Sequence, residues 1–294
     1  MYLAPSIGFT PAEFNMKFPG TISISAQTFK SLLREVTSSL LKHGFKYVLI
    51  VNGHGANIDP IKEVMIDFNN KLFFKSWWDF PKVNDIRNKE FGDWEGMHAT
   101  PSEISITQIN QRVIENTEFK KIAENPPQKL TKDFIIAHSG DKHGTAEEHH
   151  KAFPDGRVGS HSAMADPEIG KKIVNASVEG FLEEIREICT QNNIVLIFDE
   201  CTSGFRETFG GLHQKYKIEP DLALFSKALG NGYAISALVG KSGAGIIFKS
   251  SFTESFGESI RAIVASTTSF KLCGGISVAI PTAIPESPLS KTFG

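Results

Sequence analysis

The sequence predicts an α/β fold with three layers, α/β/α, around a mainly parallel sheet. Two observations predict this class. Helical patterns alternate with short apolar runs through the first 80 residues, as they do in parallel sheets that helices cover on both faces. The apolar run from Tyr47 to Val51 passes directly into small polar residues and glycines, which is typical of a buried strand that ends in a loop. In open α/β sheets such loops lie where ligands bind.

Apolar periodicity places the elements in order. Prolines and glycines predict loops over residues 1–25. The patterns that follow predict a helix over Ala26–His43 closed by Gly44, the strand before His54, a helix with Asp59 as N-cap and a strand over Lys71–Trp78. Later patterns predict a helix opened by Thr100 and Pro101, a long helix over Asp166–Asn192, and strands over Ile194–Phe198 and Asp221–Phe225. Residues 242–294 have weak periodicity and predict no defined element.

The composition is that of an ordinary globular protein and excludes several function classes. The chain has 294 residues, of which 40% are hydrophobic and 22% charged, enough for one large domain or two modest ones. A formal charge of −2 gives no electrostatic basis for binding nucleic acid or an anionic membrane. No apolar run reaches the ~18 residues of a membrane span. Three cysteines far apart in the sequence predict a reducing, cytoplasmic compartment and no thiolate metal site.

Histidines and one glutamate are the first candidates for chemistry. His54 stands between two glycines, so its imidazole has little steric shielding. A lone loop histidine is either solvated or a ligand, and this segment leaves both open. Thr100 and Glu103 have the spacing of a capping box, and spacing alone favours that interpretation. The alternative is that His98 carries a proton and Glu103 binds a metal.

Two further stretches are open to a functional and a plain interpretation. Residues 138–165 hold five of the nine histidines, and we predict a solvated, mobile loop with adventitious metal affinity at most. Lys227 follows a predicted strand and precedes a glycine-rich turn. Such a lysine could be desolvated enough to act as an amine nucleophile, although most lysines in such places are simply solvated.

Four motifs in the first half of the chain occur in a fixed order. They are Phe18-Pro19-Gly20-Thr21 before a helix, Val51 through His54 to Asn57, Trp94 through His98 to Glu103, and Asp155 to Gly159 followed by Asp166 and a helix. Together they resemble the creatininase family of metal-dependent amidohydrolases, from about residue 4 to about residue 179. The resemblance implies hydrolysis of a carbon–nitrogen bond in an amide, often a cyclic one, and assembly into hexamers.

The resemblance also implies a role for each matching residue. His54 and Glu103 would be ligands of a centre of two divalent ions, zinc or manganese, that share a bridging water. His98 would be the catalytic proton-transfer histidine, and Trp94 a wall of the substrate pocket. A metal role for Glu103 can coexist with its capping role. Of the family's usual ligands only His54 and Glu103 match, so we expect weak or absent metal binding and little hydrolase activity.

The second half carries a different set of motifs. Leu196 to Arg206, Pro220-Asp221-Leu222 and Ser226 to Gly232 resemble the class III aminotransferases, and within them the glutamate-1-semialdehyde aminomutase-like group. By this resemblance Asp199 would pair with the ring nitrogen of pyridoxal phosphate and Lys227 would bind its aldehyde. The match spans residues 181–241, only part of such a fold-type I enzyme.

The predicted organisation is therefore a creatininase-like domain over residues 1–180, an aminotransferase-like α/β fragment over 181–241, and a tail over 242–294. Three functions remain open: an amidohydrolase acting on a small-molecule amide, a pyridoxal-phosphate aminotransferase or aminomutase, and an inactive chimera of two fragments. In the chimera, the second fragment is expected to be poorly packed.

Overall fold

The computed structural model describes residues 2–110, 121, 125–140, 142–232, 236–240, 262–266 and 277–280. The elements are β1 (Tyr2–Leu3), α1 (Ala26–Lys42), β2 (Val48–Asn52), α2 (Ile58–Ile66), β3 (Leu72–Ser76), α3 (Pro81–Glu90), α4 (Pro101–Gln108), α5 (Lys132–Ala137), α6 (Ala146–Ala152), α7 (Pro167–Gln191), β4 (Val195–Asp199), α8 (Leu212–Lys215), β5 (Leu222–Phe225), β6 (Ala237–Gly240), β7 (Ala262–Ser266) and β8 (Ser277–Ile280). They form two four-stranded sheets with helices packed on them, which confirms the α/β class.

The first sheet has the strand order β1-β8-β2-β3. Strands β2 and β3 are parallel, with Val48 opposite Leu72 and Asn52 opposite Ser76. Strand β8 pairs antiparallel with β2 and with β1. Because β2 and β3 run in the same direction, their carboxyl ends meet at one edge of the sheet, and the loop that carries His54 begins there.

Helices cover both faces of this sheet. On one face α1 and α2 bury Phe29, Leu33, Ile61 and Val64 against the side chains of Val48, Ile50 and Leu72. On the other face Val51 packs with residues of α3, α4 and α7, among them Val83, Ile106 and Ile173. The alternation of Ile50 and Val51 between the two cores follows from the two-residue period of a strand.

Helix α7 is a single continuous helix of 25 residues that connects the two sheets. Its N-cap is Asp166, whose side chain accepts a hydrogen bond from the backbone N–H of Glu168, and the helix passes through Gly180 without a break. Ile173 and Phe181 belong to the core beside the first sheet, whereas Leu182 and Cys189 belong to the core of the second. The long apolar face of this helix therefore serves two cores.

The second sheet has the order β6-β5-β4-β7. Strand β4 is parallel to β5 and to β7, and β6 is antiparallel to β5. Leu196 and Phe198 of β4 are fully buried, in a core that includes Ile218 and Phe225. The expected poor packing is thus wrong for β4 and β5, because α7 supplies the apolar face that covers β4, whereas Leu238 and Val239 of β6 and the ring of Phe209 are exposed.

Two local predictions are also wrong. Helix α2 begins at Ile58 with Asn57 as its N-cap, not at Asp59, because a 3-10 turn over Gly55–Asn57 leads directly into it. The histidine-rich stretch is not only loop, since it contains α6. That helix begins with a capping box between Thr145 and Glu148. The box is a local signal for a helix start, but the prediction gave more weight to the polar composition of the stretch.

Candidate functional site

The loop that carries His54 is shaped by Asn52 at the end of β2. Asn52 is completely buried, and its Nδ2 donates to the backbone oxygen of His54 and to Oγ of Ser76, both at 3.0 Å. Its Oδ1 accepts from the backbone N–H of His54 at 3.3 Å and from Nδ2 of Asn57 at 3.1 Å. The chain is therefore held just past the strand, and His54 stands at the edge where β2 and β3 end.

The segment that carries His98 lies against residues 158–160. Met97 donates its backbone N–H to the oxygen of Val158 at 2.9 Å, and Val158 donates to the oxygen of His98 at 3.3 Å. Gly96 has φ +65, and a Cβ there would lie 2.2 Å from Oγ of Ser160, so only glycine permits this approach. Ala99 has φ +54, a conformation that costs a residue with a Cβ about 1–2 kcal/mol. Such strain is often found at functional sites.

The side chain of His98 touches residues near the amino terminus. Nε2 of His98 lies 3.1 Å from Nδ2 of Asn15, which is buried. The ring of Phe14 meets the imidazole edge to face, with ring centroids 5.7 Å apart. The imidazole is thus fixed by two neighbours that lie more than 80 positions away in the sequence.

The capping box at the start of α4 is confirmed. Oγ1 of Thr100 accepts from the backbone N–H of Glu103 at 3.1 Å, and Oε2 of Glu103 accepts from the N–H of Thr100 at 3.1 Å. Oε2 also accepts from Oγ1 of Thr100 at 2.9 Å. One carboxylate oxygen of Glu103 is therefore engaged in the cap. Glu103 also lines a cavity.

That cavity has a volume of about 280 Å³ and brings the sequence candidates together. Its walls include His54, His98 and Glu103. They also include residues that the sequence analysis did not select, namely Trp77, Trp78, Arg87 and Met97, together with Ile135, Ser139 and Gly140 from α5 and the turn after it. The two tryptophan rings are perpendicular, with centroids 5.3 Å apart. The position of both tryptophans directly after β3 was the available signal for them, since ligands bind beyond the carboxyl ends of parallel strands.

Trp94 does not line this cavity. Its ring packs against the imidazole of His161, with centroids 5.5 Å apart, and Nζ of Lys129 lies 4.6 Å from the ring centroid. Its backbone oxygen accepts a hydrogen bond from the backbone N–H of His161 at 2.9 Å. The role of Trp94 as a wall of the substrate pocket stays a prediction.

At the cavity wall lies a partly buried ion pair. Nε of Arg87 donates to Oε1 of Glu95 at 3.0 Å, and Nη1 of Arg87 donates to Oδ1 of Asn84 at 2.9 Å. Oγ of Ser102 makes a short hydrogen bond to the same Oε1. Burial raises the pKa of Glu95, while the charge of Arg87 and the two hydrogen bonds oppose that rise. The pair fixes the guanidinium at the cavity edge.

Four imidazoles surround the ring of Phe14. The ring centroids of His54, His98, His143 and His149 lie 6.3, 5.7, 4.7 and 5.0 Å from that of Phe14. His149 is almost fully buried, so part of the predicted solvated loop belongs to this cluster. Within the described ranges, however, no group of three or more His, Cys, Asp or Glu side chains is arranged to hold a metal ion. His54 and Glu103 have the right donor types but by themselves do not complete a dinuclear centre.

The second pair of candidates lies at the carboxyl end of β4 and just beyond that of β5. Asp199 ends β4, and its Oδ1 accepts from the backbone N–H of Cys201 at 3.0 Å. Lys227 follows β5 with φ +43, and its Nζ donates to Oγ1 of Thr202 at 2.8 Å. Lys227 is exposed, which matches the plain interpretation of a solvated lysine. The roles of Asp199 and Lys227 toward a cofactor stay predictions.

Comparison with known proteins finds two families in one chain. The family described as Creatinine amidohydrolase matches residues 1–185, which is more than half of the chain. The family described as Aminotransferase class-III matches residues 164–272. The two matches overlap at residues 164–185, which includes the first part of α7.

None of the helices in the described part of the chain combines the length and the apolar character that spanning a bilayer requires.

Two curated relatives are aminotransferase-like enzymes. A 3-aminobutyryl-CoA aminotransferase of Cloacimonas acidaminovorans is 53% identical over 62 residues, which is 21% of this chain and 15% of that protein. A glutamate-1-semialdehyde 2,1-aminomutase of Methanocaldococcus jannaschii is 34% identical over 115 residues, or 39% of this chain and 26% of that protein. The chain thus spans about a quarter or less of these curated relatives.

Solved structures of creatininase variants show low similarity. A creatininase with a single tryptophan-to-phenylalanine mutation has 18% identity and a TM-score of 0.45, covering 62% of this chain and 72% of that one. A creatininase with a single glutamate-to-glutamine mutation, complexed with creatine, has 18% identity and a TM-score of 0.44, covering 61% of this chain and 73% of that one.

Proposed function

We infer a function from the premise that this chain belongs to the creatininase family, whose sequence pattern matches residues 1–185. The chain provides the cavity of an amidohydrolase that cleaves carbon–nitrogen bonds in small, often cyclic, amides. The observation that carries this proposal is that His54, His98 and Glu103, selected from the sequence, line a single cavity. Titratable side chains that converge on one pocket are candidates for the acid, base and ligand roles of a common site.

His98 is the residue that moves a proton in this proposal. An imidazole can hold and release a proton near neutral pH, so it can supply the proton that the leaving nitrogen needs when the amide bond breaks. Trp77 and Trp78 also line the cavity, and aromatic side chains in a pocket wall suit a small planar ring. Its volume of about 280 Å³ is near the lower end of pockets that hold small molecules.

Metal dependence is the finer part of the proposal. A divalent ion would lower the pKa of a bound water and polarise the carbonyl, and His54 and Glu103 would be two of its ligands. Because the described residues do not group a third ligand with them, we expect this chain by itself to bind zinc or manganese weakly.

The test combines metal analysis with an activity panel. The purified protein is dialysed against zinc or manganese, its metal content is measured, and hydrolysis of a panel of cyclic amides is followed. We expect His98→Gln to lower kcat about 10²–10⁴-fold, whereas His43→Gln, at an exposed helix end, should leave it unchanged. No hydrolysis of any cyclic amide, or equal rates for the two variants, would contradict the proposal. Two metal ions retained per chain would contradict the expectation of weak binding.

A second candidate function rests on the other sheet. Asp199 ends β4 and Lys227 follows β5, two adjacent parallel strands within the part that matches the class III aminotransferases. Asp199 would hold a proton on the ring nitrogen of pyridoxal phosphate, and the amine of Lys227 would hold the aldehyde. The bound cofactor would supply an electron sink.

Absorbance separates this candidate from the first. Added pyridoxal phosphate should produce a visible band that Lys227→Arg abolishes and Lys172→Arg, on an exposed face of α7, retains. A band that is unchanged in Lys227→Arg would exclude this role. If neither cofactor binding nor amide hydrolysis is found, the inactive chimera is the remaining interpretation.

A further inference from the structure

Arg87 brings a permanent positive charge to the wall of the cavity that His54, His98 and Glu103 share. It lies in the last turn of α3, where the helix dipole favours a cation. A guanidinium stays protonated in proteins, and no other arginine or lysine of the described residues lines this cavity. The proton transfer and metal binding proposed above make no use of this charge, so it is available for another purpose.

The guanidinium is held from three sides. Nε of Arg87 donates to Oε1 of Glu95 at 3.0 Å, and Nη1 donates to Oδ1 of Asn84 at 2.9 Å. The amide of Asn84 is itself fixed, because its Nδ2 donates to two backbone oxygens at 2.8 and 3.3 Å. Cζ of Arg87 lies 5.5 Å from the centroid of the Trp77 ring, within the range of a cation–π contact. A guanidinium held in this way loses little freedom when a ligand binds to it.

The third guanidinium nitrogen, Nη2, is left for a ligand. It makes no hydrogen bond to any residue in the described part of the chain, and those residues do not enclose it. Glu95 does not occupy it, since Oε2 of Glu95 is buried and has no hydrogen-bond partner there either. The side chain of Arg87 is 20% exposed and lines the cavity. An arginine that is fixed at two nitrogens and open at the third suits a planar anion such as a carboxylate.

The charges on the cavity walls would also orient such a ligand. Arg87 is positive and the carboxylate of Glu103 is negative, and both line the same cavity. A carboxylate on the ligand is attracted to Arg87 and repelled by Glu103, so the remainder of the ligand faces the side of Glu103 and the imidazoles. A cavity of about 280 Å³ has room for one small ring with one such group.

We propose that Arg87 determines specificity in this cavity by binding, through Nη2, a carboxylate that the amide substrate carries on its ring. The substrate class is then anionic cyclic amides rather than neutral ones. The catalytic meaning of this inference rests on the proposed hydrolase function, whereas the carboxylate site needs only the cavity. A hydrogen bond between charged groups is stronger than one to a neutral group, and the difference corresponds to about 10-fold in affinity.

The test compares two ligands of nearly the same shape. Pyroglutamate is a five-membered cyclic amide with a carboxylate, and pyroglutamamide has a neutral amide in its place. Each is titrated into the full chain at about pH 7.5, where a carboxylic acid is ionised. Metal ions are first removed with a chelator, so that the carboxylate cannot bind an ion instead. The indole N–H signals of Trp77 and Trp78, which line the cavity, report binding by ¹H–¹⁵N NMR. Wild type should bind pyroglutamate about 10-fold more tightly than pyroglutamamide.

Arg87→Lys removes Nη2 but keeps a positive charge beside Glu95, and it should abolish the preference for the acid. If amides are hydrolysed, this variant should also raise KM for pyroglutamate about 10-fold and leave KM for pyroglutamamide unchanged. The matched control is Arg34→Lys. Arg34 donates through Nε to Asp67 at 2.6 Å on α1 and α2 and does not line the cavity, so the preference should stay as in wild type.

A second variant is expected to strengthen binding. Glu95→Gln keeps an acceptor for Nε of Arg87 but removes the negative charge that partly neutralises the guanidinium. It should bind pyroglutamate several-fold more tightly than wild type does and bind pyroglutamamide as wild type does. If Arg87→Lys does not give the circular dichroism spectrum of the wild type, Glu95→Gln decides the question. Tighter binding of the acid supports the site, and unchanged or weaker binding overturns it.

The outcomes separate the two proposals. Equal affinities for the two ligands in wild type, or no binding of either, would overturn the carboxylate site even if other amides are hydrolysed. A preference that persists in Arg87→Lys would overturn the role of Arg87. The expected preference without any hydrolysis would leave the carboxylate site intact and remove the proposed reaction instead.

Discussion

The crossing of α4 and α7 is the contact whose disturbance should be easiest to measure. A Cβ added at Gly170 of α7 would lie 2.0 Å from the backbone oxygen of Ser105 in α4, where ordinary contact begins at 3.4 Å. Both groups are part of helix backbones and cannot rotate away, so Gly170→Ala must separate the helices. Overpacking of this kind costs about 1–3 kcal/mol, and we expect the upper end.

Two smaller effects of Gly170→Ala act in opposite directions. Oγ of Ser105 accepts a hydrogen bond from the N–H of Asp166 at 2.9 Å, and losing it costs about 1 kcal/mol. Alanine is favoured over glycine inside a helix by up to about 1 kcal/mol. These two effects nearly cancel, so the expected net loss in the free energy of unfolding is about 3 kcal/mol, the upper end of the overpacking cost.

Urea unfolding monitored by circular dichroism measures this loss. The midpoint should fall while the slope with denaturant stays as in wild type. The matched control is Lys172→Ala on the exposed face of the same helix, which should change stability by less than about 0.5 kcal/mol. If Gly170→Ala is as stable as wild type or more stable, the close approach of α4 and α7 is refuted, and with it the placement of Glu103 by that crossing.

Three further outcomes are expected. Burial raises the pKa of Glu95 above its ordinary value of 4.5. Between that value and the raised pKa, Glu95 is protonated in the folded state and ionised in the unfolded state. Stability should thus fall as pH rises from 4.5 to the raised pKa, and Glu95→Gln should abolish that slope in unfolding curves measured against pH. Burial raises the pKa of Cys189 to about 11 and encloses the residue completely. Burial also raises the pKa of Cys201, but Cys201 is partly exposed, so iodoacetamide at about pH 8 should label Cys201 and leave Cys189 unmodified until the protein unfolds, as read by peptide mass spectrometry. Ala99→Gly should raise the free energy of unfolding by about 1 kcal/mol by relieving the positive φ, whereas Ala146→Gly in the first turn of α6 should not raise it.

Local signals were sufficient for several elements. Gly44, at φ +89, ends α1 as predicted, and Asp166 caps α7. The Thr100–Glu103 box forms with both of its reciprocal hydrogen bonds. These features involve residues only a few positions apart, so the sequence contains all the information that determines them.

The composition of the candidate site was only partly accessible from sequence. His54, His98 and Glu103 were found because their motifs resemble a family, and the expectation that they share a site agrees with the cavity that they line. Arg87 was not found, because its place at the cavity depends on the partly buried pair with Glu95 and on the packing of α3. The buried state of His149 was missed because polar composition outweighed the capping box that begins α6.

The sequence by itself determined where about half of the described strands and helices lie, and which residues carry chemistry, since both follow from neighbouring residues and from recognisable motifs. Only the tertiary structure decided which of them meet. Asn15 and His98 are 83 positions apart, and β8 pairs with β2 across more than 200 residues. Such contacts arise from the burial of apolar faces against one another, which a local pattern makes favourable without specifying the partner.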